Sequence, residues 1–416
     1  MPYEVKDIAL AEQGERNIGW AEKQMGALLK VRERFEKEKP LSGYRIGMAL
    51  HVTKETAVLV STLMAGGAEV AITSCNPLST QDDVAAALAL RGVNVFAYKG
   101  ETIEDYYRYL DRVISFRPHV TIDDGMDLVT RIHTKHPDLL PDVICGCEET
   151  TTGVIRLRAM EEQGALKYPI IAVNDCQTKH LMDNYYGTGQ STLDGIIRCS
   201  NILISGKTFV VAGYGNCGKG VAMRAKGLGA NVIVTEVDPF KALQAKMDGF
   251  RVMRMDEAVR EGDIFVTVTG NLHAISVKHI RLMKDGVILV NAGHFDHEVD
   301  VTGLEEISSD RREIRPLLDE YMVDGKKVYL CARGRLVNLA CAEGHPSTVM
   351  ALSFCDQALG VEYGIMNRDR LEPRVYCLPE EIDRTVARLQ LEAMGVTIDE
   401  LTSKQEEYLR SWQSGT

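Results

Sequence analysis

Thr208-Phe-Val-Val-Ala-Gly213-Tyr-Gly215-Asn216-Cys217-Gly218-Lys-Gly220 decides the reading of this 416-residue chain. Thr208 to Val211 is an apolar, β-branched run that reads as a strand. It enters three glycines spaced G-x-G-x-x-G, and Gly220 to Leu228 then reads as a helix. Each glycine has its own reason. Gly213 makes the tight turn, Gly215 lets main chain approach a pyrophosphate, and Gly218 lets helix pack close on strand. The free N–H groups and dipole at the helix start favour an anion.

Alone, such a turn is weak evidence. Here the next strand, Asn231 to Val234, runs into Thr235-Glu236, eighteen residues beyond Gly218. A carboxylate at that place accepts from the adenosine ribose 2′-hydroxyl and repels a 2′-phosphate. No arginine follows directly, so the turn predicts NAD rather than NADP. Ile264-Phe-Val-Thr267 and Val287-Ile-Leu-Val290 continue this unit as strands.

Working back toward the N-terminus, the same alternation recurs. Tyr44–Leu50, Ala68–Thr73, Val93–Ala97, His119–Ile122, Val143–Cys145 and Ile170–Val173 read as strands. Lys54–Met64, Thr80–Leu90 and Glu104–Val113 read as helices between them. Gln177 to Ser200 is a helical connection, and Asp383 to Ser411 is helical with a break at Gly395. The fold class is therefore α/β, with two doubly wound, mostly parallel sheets, the second a Rossmann unit, plus a short helical C-terminal segment. The expected division is 1–184 with 347–394, then 185–346, then 395–416.

Composition narrows the partners. With 45% hydrophobic residues and a formal charge of −11, the chain is globular and presents no basic surface for nucleic acid or anionic membrane. The N-terminus has no signal-peptide pattern, and apolar runs are too short to span a bilayer. Ten cysteines without CxxC spacing predict free thiols in a reducing cytoplasm and no metal site.

Ligands of open α/β sheets bind beyond the carboxyl ends of the strands. In the first unit those ends carry His51-Val-Thr53-Lys-Glu55, Ser74-Cys-Asn76 with Ser79, Asp123-Asp124, Glu148-Glu149-Thr150-Thr151-Thr152, and Asn174-Asp175. Asn76, Ser79 and Asp175 also suit plain capping. Five such ends on one rim predict an active site. Lys179 and Asp183, four apart, share a helix face beside it. A desolvated lysine there is expected to shift downward, toward general-base use. His294 ends a strand of the second unit, and His345 lies where the chain leaves it.

Taken together these stretches resemble the S-adenosyl-L-homocysteine hydrolase family. The likeness rests on His51-Val-Thr-Lys-Glu55, Ser74-Cys-Asn-Pro-Leu-Ser-Thr-Gln-Asp82, Asp123-Asp-Gly-Met-Asp127, Glu148-Glu-Thr-Thr-Thr-Gly-Val154, Asn174-Asp175, Lys179, Asp183-Asn184, Gly213–Gly220, Thr235-Glu-Val-Asp-Pro239, Gly293-His-Phe-Asp296, Gly334-Arg-Leu-Val-Asn338 and Gly344-His-Pro346. It runs from about Pro2 to about Leu409.

The resemblance implies a chemistry. Tightly held NAD oxidises the substrate's 3′-hydroxyl, which acidifies C4′. Loss of that proton expels homocysteine, water adds, and the ketone is reduced back. By position, Lys179 and Asp183 would handle the 3′-hydroxyl proton. Asp124, His51 and His294 would share the C4′ proton, the thiolate and the water. Glu149 would anchor the ribose hydroxyls. Thr53, Glu55, Asn174 and Glu343 would meet the substrate, and His345 with Phe295 would gate its channel. Thr150, Thr151, Thr152, Asn184, Gly213, Gly215, Asn216, Cys217, Gly218, Glu236, Lys241, Asn271, Ala292, Gly293, His294, Asn338 and His345 would contact NAD. It also implies a homotetramer and a small-molecule nucleoside substrate.

Three departures stand out. The chain ends at Thr416, where longer members carry a Lys- and Tyr-containing tail. Lys241 replaces an Asn near the cofactor ribose. Glu343 replaces an apolar residue beside the purine. A carboxylate there suits the N1–H of hypoxanthine, so S-inosyl-L-homocysteine is an alternative substrate. A simple NAD dehydrogenase is the other enzymatic reading, and a non-catalytic regulatory relative the non-enzymatic one.

Overall fold

Sixteen strands, numbered along the chain, form two eight-stranded sheets in the computed structural model, which describes residues 2–413. The first sheet takes β1 (Glu4–Val5), β2 (Arg45–Ala49), β3 (Glu69–Thr73), β4 (Asn94–Ala97), β5 (Val120–Asp123), β6 (Cys145–Glu148), β7 (Ile170–Ala172) and the late β16 (Val375–Tyr376). Its order is β1-β4-β3-β2-β5-β6-β7-β16, and every pair is parallel. Helices cover both faces, so the strands are apolar throughout rather than alternating.

The second sheet takes β8 (Thr208–Ala212), β9 (Asn231–Thr235), β10 (Arg251–Val252), β11 (Ile264–Thr267), β12 (Val287–Asn291), β13 (Asp310–Arg315), β14 (Leu318–Val323) and β15 (Lys326–Cys331). Its order is β10-β9-β8-β11-β12-β15-β14-β13, parallel up to β15. The β13–β14–β15 edge is antiparallel and was not expected. Its outer strand, Asp-Arg-Arg-Glu-Ile-Arg, is exposed at every residue. A charged strand protects a sheet edge, and it hides the apolar signature by which strands are read.

Other elements move by a few residues. β6 begins at Cys145 rather than Val143 and runs to Glu148. The helix after the glycine turn starts at Asn216, so the turn's own residues form its first turn. Gln177 to Ser200 is two elements: a π-helical segment, Thr178–Gly187, then an α-helix, Thr188–Ser200. Two N-terminal helices, Ala11–Glu22 and Gly26–Glu38, flank the first sheet's core. The 20-residue helix Ser347–Met366 leaves the second sheet and packs on the first, with Gly360 and Gly364 lying over Cys147 and Cys145. Glu380–Ala393 follows, and Gly395 breaks it at φ +69° before Ser403–Arg410. Residues 414–416 of the expected C-terminal segment lie outside the described residues.

Candidate active site between the two sheets

Each sheet reverses its strand order once, and the reversals face one another. In the first sheet the order turns between β2 and β5, which lead into His51 and Asp124. In the second it turns between β8 and β11, which lead into Gly213 and Val268. One cleft of about 1320 Å³ joins the two switch points. It is lined by every residue that the resemblance assigns to catalysis, substrate or cofactor except Gly218 and Phe295; of the strand-end residues, Ser74, Asn76, Ser79, Asp123 and Glu148 do not line it.

Gly218 has a different position for a clear reason. A Cβ there would come within 2.1 Å of the Gly213 carbonyl oxygen, so it packs helix on turn, beneath the surface. Gly213 adopts φ +101°, which only glycine holds cheaply. A Cβ on Gly215 would meet nothing within 4 Å, so open space lies above it. Glu236 accepts from Tyr214 N (2.7 Å), Val237 N (2.7 Å) and Asp238 N (3.1 Å), which fixes its carboxylate beside the turn. Buried Glu298 likewise holds the loop Thr269–Asn271 by accepting from Thr269 N, Thr269 Oγ1 and Gly270 N. These features fit a dinucleotide: a helix start, space over a glycine, and an ordered carboxylate. Lys241 is half exposed, 3.9 Å from Asp238.

At the first sheet's side, two clusters face each other. Lys179 is buried, with Nζ 3.1 Å from Asp183 Oδ2, 2.9 Å from Asn184 Oδ1 and 3.7 Å from Glu149 Oε1. The π-helical backbone explains why i+4 and i+5 neighbours both reach it, since a wider turn brings both under the lysine. The expected downward shift of Lys179 is not what the structure gives. Burial does oppose its charge, but Asp183 and Glu149 outweigh burial and hold the ammonium above its ordinary range. Asp183 is held below the usual carboxylate range: burial opposes ionisation, and Lys179 and His345 overcome it. Burial pushes Glu149 up to about 7, against the pull of Lys179. Glu149 also accepts from Ser353 Oγ and from Gln357 Nε2 (2.5 Å), both on the helix Ser347–Met366.

His345 reaches Asp183 through Nδ1 and Thr188 Oγ1 through Nε2 (3.3 Å). A Cβ on Gly187 would sit 2.8 Å from that ring, so glycine makes the room. His345 and Phe295, expected together at the channel, have different neighbours. Phe295 instead packs edge-on against His294 at 4.6 Å, with the Arg156 guanidinium over it at 5.4 Å.

The second cluster is His51, Asp124 and His294. Asp124 lies 3.4 Å from His51 Nε2 and 3.4 Å from His294 Nδ1. His51 Nδ1 bonds Ser79 Oγ at 2.7 Å, so Ser79 orients the ring and is more than a cap. Burial lowers His51 to about 4, more than Asp124 raises it, so the ring is neutral near pH 7. His294 comes from the other sheet and fits over Gly125, where a Cβ would lie 2.2 Å from its Nε2. The three side chains offer ligand atoms within 4.8 Å of one another, a spacing a metal ion could use. Beneath them, buried Asp123 and Glu148 hold the Asp124–Gly125 turn by accepting from Asp124 N, Val129 N and Gly125 N.

At the outer end, Thr53 caps the helix Lys54–Ala65 by accepting from Thr56 N, and Glu55 accepts from Ser347 Oγ at 2.7 Å. Glu343 is exposed and engaged by Lys54 Nζ (3.1 Å) and Arg198 Nη2 (3.1 Å). Those cations, against partial burial, hold its carboxyl below the usual range. Lys54, Arg198, Ser353, Gln357 and Glu298 were not singled out in the sequence. Ser353 and Gln357 did carry a signal: two polar residues one turn apart in a long apolar helix.

A family model described as S-adenosyl-L-homocysteine hydrolase matches residues 2–143, and one described as the NAD binding domain of S-adenosyl-L-homocysteine hydrolase matches residues 184–344. The chain is 58% identical over 414 residues to the S-inosyl-L-homocysteine hydrolase of Methanocaldococcus jannaschii, covering 100% of both. It is 59% identical over 418 residues to the adenosylhomocysteinase of Aquifex aeolicus, again covering 100% of both. With the S-inosyl-L-homocysteine hydrolase of Methanopyrus kandleri it shares 58% over 416 residues, 100% of this chain and 98% of that one. The matched segments carry both switch-point rims, and the chain belongs to the S-adenosyl-L-homocysteine hydrolase family, with that family's NAD-binding domain as its second sheet.

Proposed function

We propose that this chain catalyses the reversible hydrolysis of S-adenosyl-L-homocysteine to adenosine and L-homocysteine, with NAD as a resident cofactor. The observation that carries the reading is the shared cleft. Buried Lys179 with its two carboxylates opens into the same space as the glycine turn, and His51–Asp124–His294 stands in it as well. When bound, NAD supplies a reversible two-electron oxidant for the ribose 3′ carbon, which acidifies the neighbouring C4′ position.

The residues divide the rest. The Lys179 ammonium steadies negative charge developing at the 3′ oxygen. Glu149, raised to about 7, is matched to exchange a proton with a ribose hydroxyl near neutrality. Asp183 stays ionised, orienting Lys179 on one side and His345 on the other. Neutral His51, Asp124 and His294 serve the C4′ proton, the leaving thiolate and the incoming water. Thr53, Glu55, Asn174 and Glu343 meet the nucleoside. Thr150–Thr152, Asn184, Asn216, Cys217, Glu236, Lys241, Asn271, Ala292, Gly293 and Asn338 line the cofactor's side. Residues 1–184 with 347–394 act as one unit and 185–346 as the other, closing on substrate so that water enters only when needed.

A homotetramer and a cytoplasmic location go with this reading. Exposed apolar side chains such as Val237, Phe240 and Met247 on the second unit supply self-association surface. No helix among the described residues is long and apolar enough to cross a membrane. The test is release of a titratable thiol from S-adenosyl-L-homocysteine by the purified protein; no thiol would overturn the reading.

A second substrate, S-inosyl-L-homocysteine, is favoured by one observation. Lys54 Nζ lies between Glu343 Oε2 and Glu55 Oε1 (3.3 Å). An ammonium suits the carbonyl O6 of hypoxanthine and a carboxylate suits its N1–H, whereas adenine presents an amino donor and a bare N1. Parallel assays with both nucleosides decide between them.

A further inference from the structure

Arg156 joins the two units beside the reacting groups, although it does not line the cleft. It lies on the helix Thr151–Glu162 of the first unit and is partly buried. Its guanidinium donates to Gly125 O, to Asp127 Oδ1 at 3.0 Å and to Thr130 Oγ1 at 3.3 Å. Asp127 is itself fixed, since its other carboxylate oxygen accepts from the Tyr106 hydroxyl at 2.9 Å. The arginine is thus tied at three points to the segment that follows β5.

The same guanidinium lies over the ring of Phe295, a residue of the second unit, 5.4 Å from its centroid. A cation over an aromatic face is attracted to it, and more so where water is partly excluded. Phe295 is anchored by its carbonyl, which accepts from Asn291 Nδ2 at 2.8 Å. Its ring meets His294 edge-on, with centroids 4.6 Å apart and planes at 82°. His294 in turn sits over Gly125, where a Cβ would lie 2.2 Å from its Nε2. The contacts close on themselves: Arg156 to Gly125, Gly125 to His294, His294 to Phe295, and Phe295 back to Arg156. Two of the four residues come from each unit.

His294 needs such support. Its Nδ1 is 3.4 Å from Asp124 Oδ1, longer than a good hydrogen bond, so Asp124 alone does not fix the ring. We propose that Arg156 is a positioning residue for the elimination and hydration steps: by clasping Phe295 it seats His294 over Gly125 and opposite Asp124. This inference rests on the reaction proposed above. In elimination the C4′–H electron pair becomes the C4′–C5′ double bond, the C5′–S bond breaks, and the thiolate takes up a proton. In hydration the oxygen of water bonds to C5′ and a proton returns to C4′. Both steps use the His51–Asp124–His294 cluster, whose third member crosses from the other unit. The oxidation at the 3′ carbon uses Lys179, Asp183 and Glu149, which His345, Ser353 and Gln357 hold instead. Loss of the clasp should therefore slow the later steps and spare the first.

The test uses the holoenzyme with nucleoside thioether and follows thiol release together with the absorbance of bound NADH. Arg156→Leu keeps an apolar stem and removes the charge. Its turnover is expected to fall about tenfold or more with KM little changed, since a small displacement of a reacting group is costly. Bound NADH should then build up to a larger fraction of sites than in wild type, because oxidation outruns elimination. Arg156→Lys, which keeps a cation over the ring, should recover most of the loss. Phe295→Leu breaks the clasp from the other unit and should give the same NADH signal. The double variant should be no slower than the slower single one, since both changes remove one interaction.

An Arg156→Leu protein as fast as wild type overturns the proposal. So does a slowed protein without the NADH signal, which would make the arginine a support of the fold only, and so do fully additive losses in the double variant. Wild-type enzyme that releases no thiol overturns the reaction proposed above and this inference with it. Wild-type enzyme that releases thiol, beside an unaffected Arg156→Leu, overturns this inference alone.

Discussion

The first sheet meets the cleft with ionisable side chains, and the second meets it mainly with main chain and glycine. On one side Lys179, Asp183, Glu149, His51 and Asp124 come from three strand ends and a π-helical segment, and each is held by a partner distant in sequence. On the other, the Gly213–Gly218 turn leaves open space over Gly215, while Tyr214 N donates to Glu236 and Gly270 N to Glu298, which fixes the main chain around it. His294 is the exception, crossing to complete the first sheet's cluster. The difference teaches how the labour is split. The cofactor side needs shape and a fixed dipole, which backbone supplies. The substrate side needs protons placed and removed, which only side chains in a tuned, buried network supply.

That contrast can be broken from either side. Lys179→Ala removes the charge at the centre of the substrate side and leaves the turn intact. Turnover is expected to fall ~10³-fold or more, with bound NAD unchanged. Gly218→Val does the converse, since its Cβ would collide with Gly213 O. Bound NAD is expected to be lost, activity falling ~10²-fold with it and the side-chain network intact, as NAD content after denaturation will show. Gly125→Ala attacks the crossing itself, placing a Cβ 2.2 Å from His294 Nε2 at φ +101°. A ~10-fold to 10²-fold loss in kcat with NAD retained is expected.

Smaller effects sharpen it. His51 is lowered from 6.5 to about 4 when folded. Between those values the unfolded chain binds the proton and the folded chain does not. His51 therefore withdraws stability as pH falls from 6.5 toward 4, on the order of 3 kcal/mol. Thermal midpoints of His51→Gln against wild type should converge in slope above pH 6.5 and diverge below it, wild type falling faster. The smallest change is expected at the rim: Glu343→Met should alter the ratio of kcat/KM for adenosyl over inosyl substrate by roughly tenfold, in favour of adenosyl.

The cofactor side was legible because its determinants are local. Strand, turn, helix, strand and Glu236 follow in one run of sequence, and each has a backbone reason. The rim residues were legible as a set because strand ends of a parallel sheet share one edge. Their chemistry was not. Lys179 was expected to be a lowered lysine because burial at the sheet edge disfavours its charge, and its sequence neighbours show only Asp183 to oppose that. Glu149, thirty residues earlier, and its holders Ser353 and Gln357, two hundred later, reverse or tune the outcome. Phe295 was placed over the channel by resemblance, and its packing on His294 could not be read from spacing. The β13–β14 edge was missed because exposed, charged strands carry no apolar pattern.

The most direct test follows cofactor and product together. The purified enzyme, given nucleoside thioether and no added NAD, is monitored at once for free thiol and for NADH absorbance, and its NAD is measured after denaturation. The account requires NAD to copurify, thiol to accumulate over many turnovers, and no NADH to build up beyond the bound fraction. Turnover that needs added NAD and releases NADH in step with product would contradict it and make the chain a simple dehydrogenase.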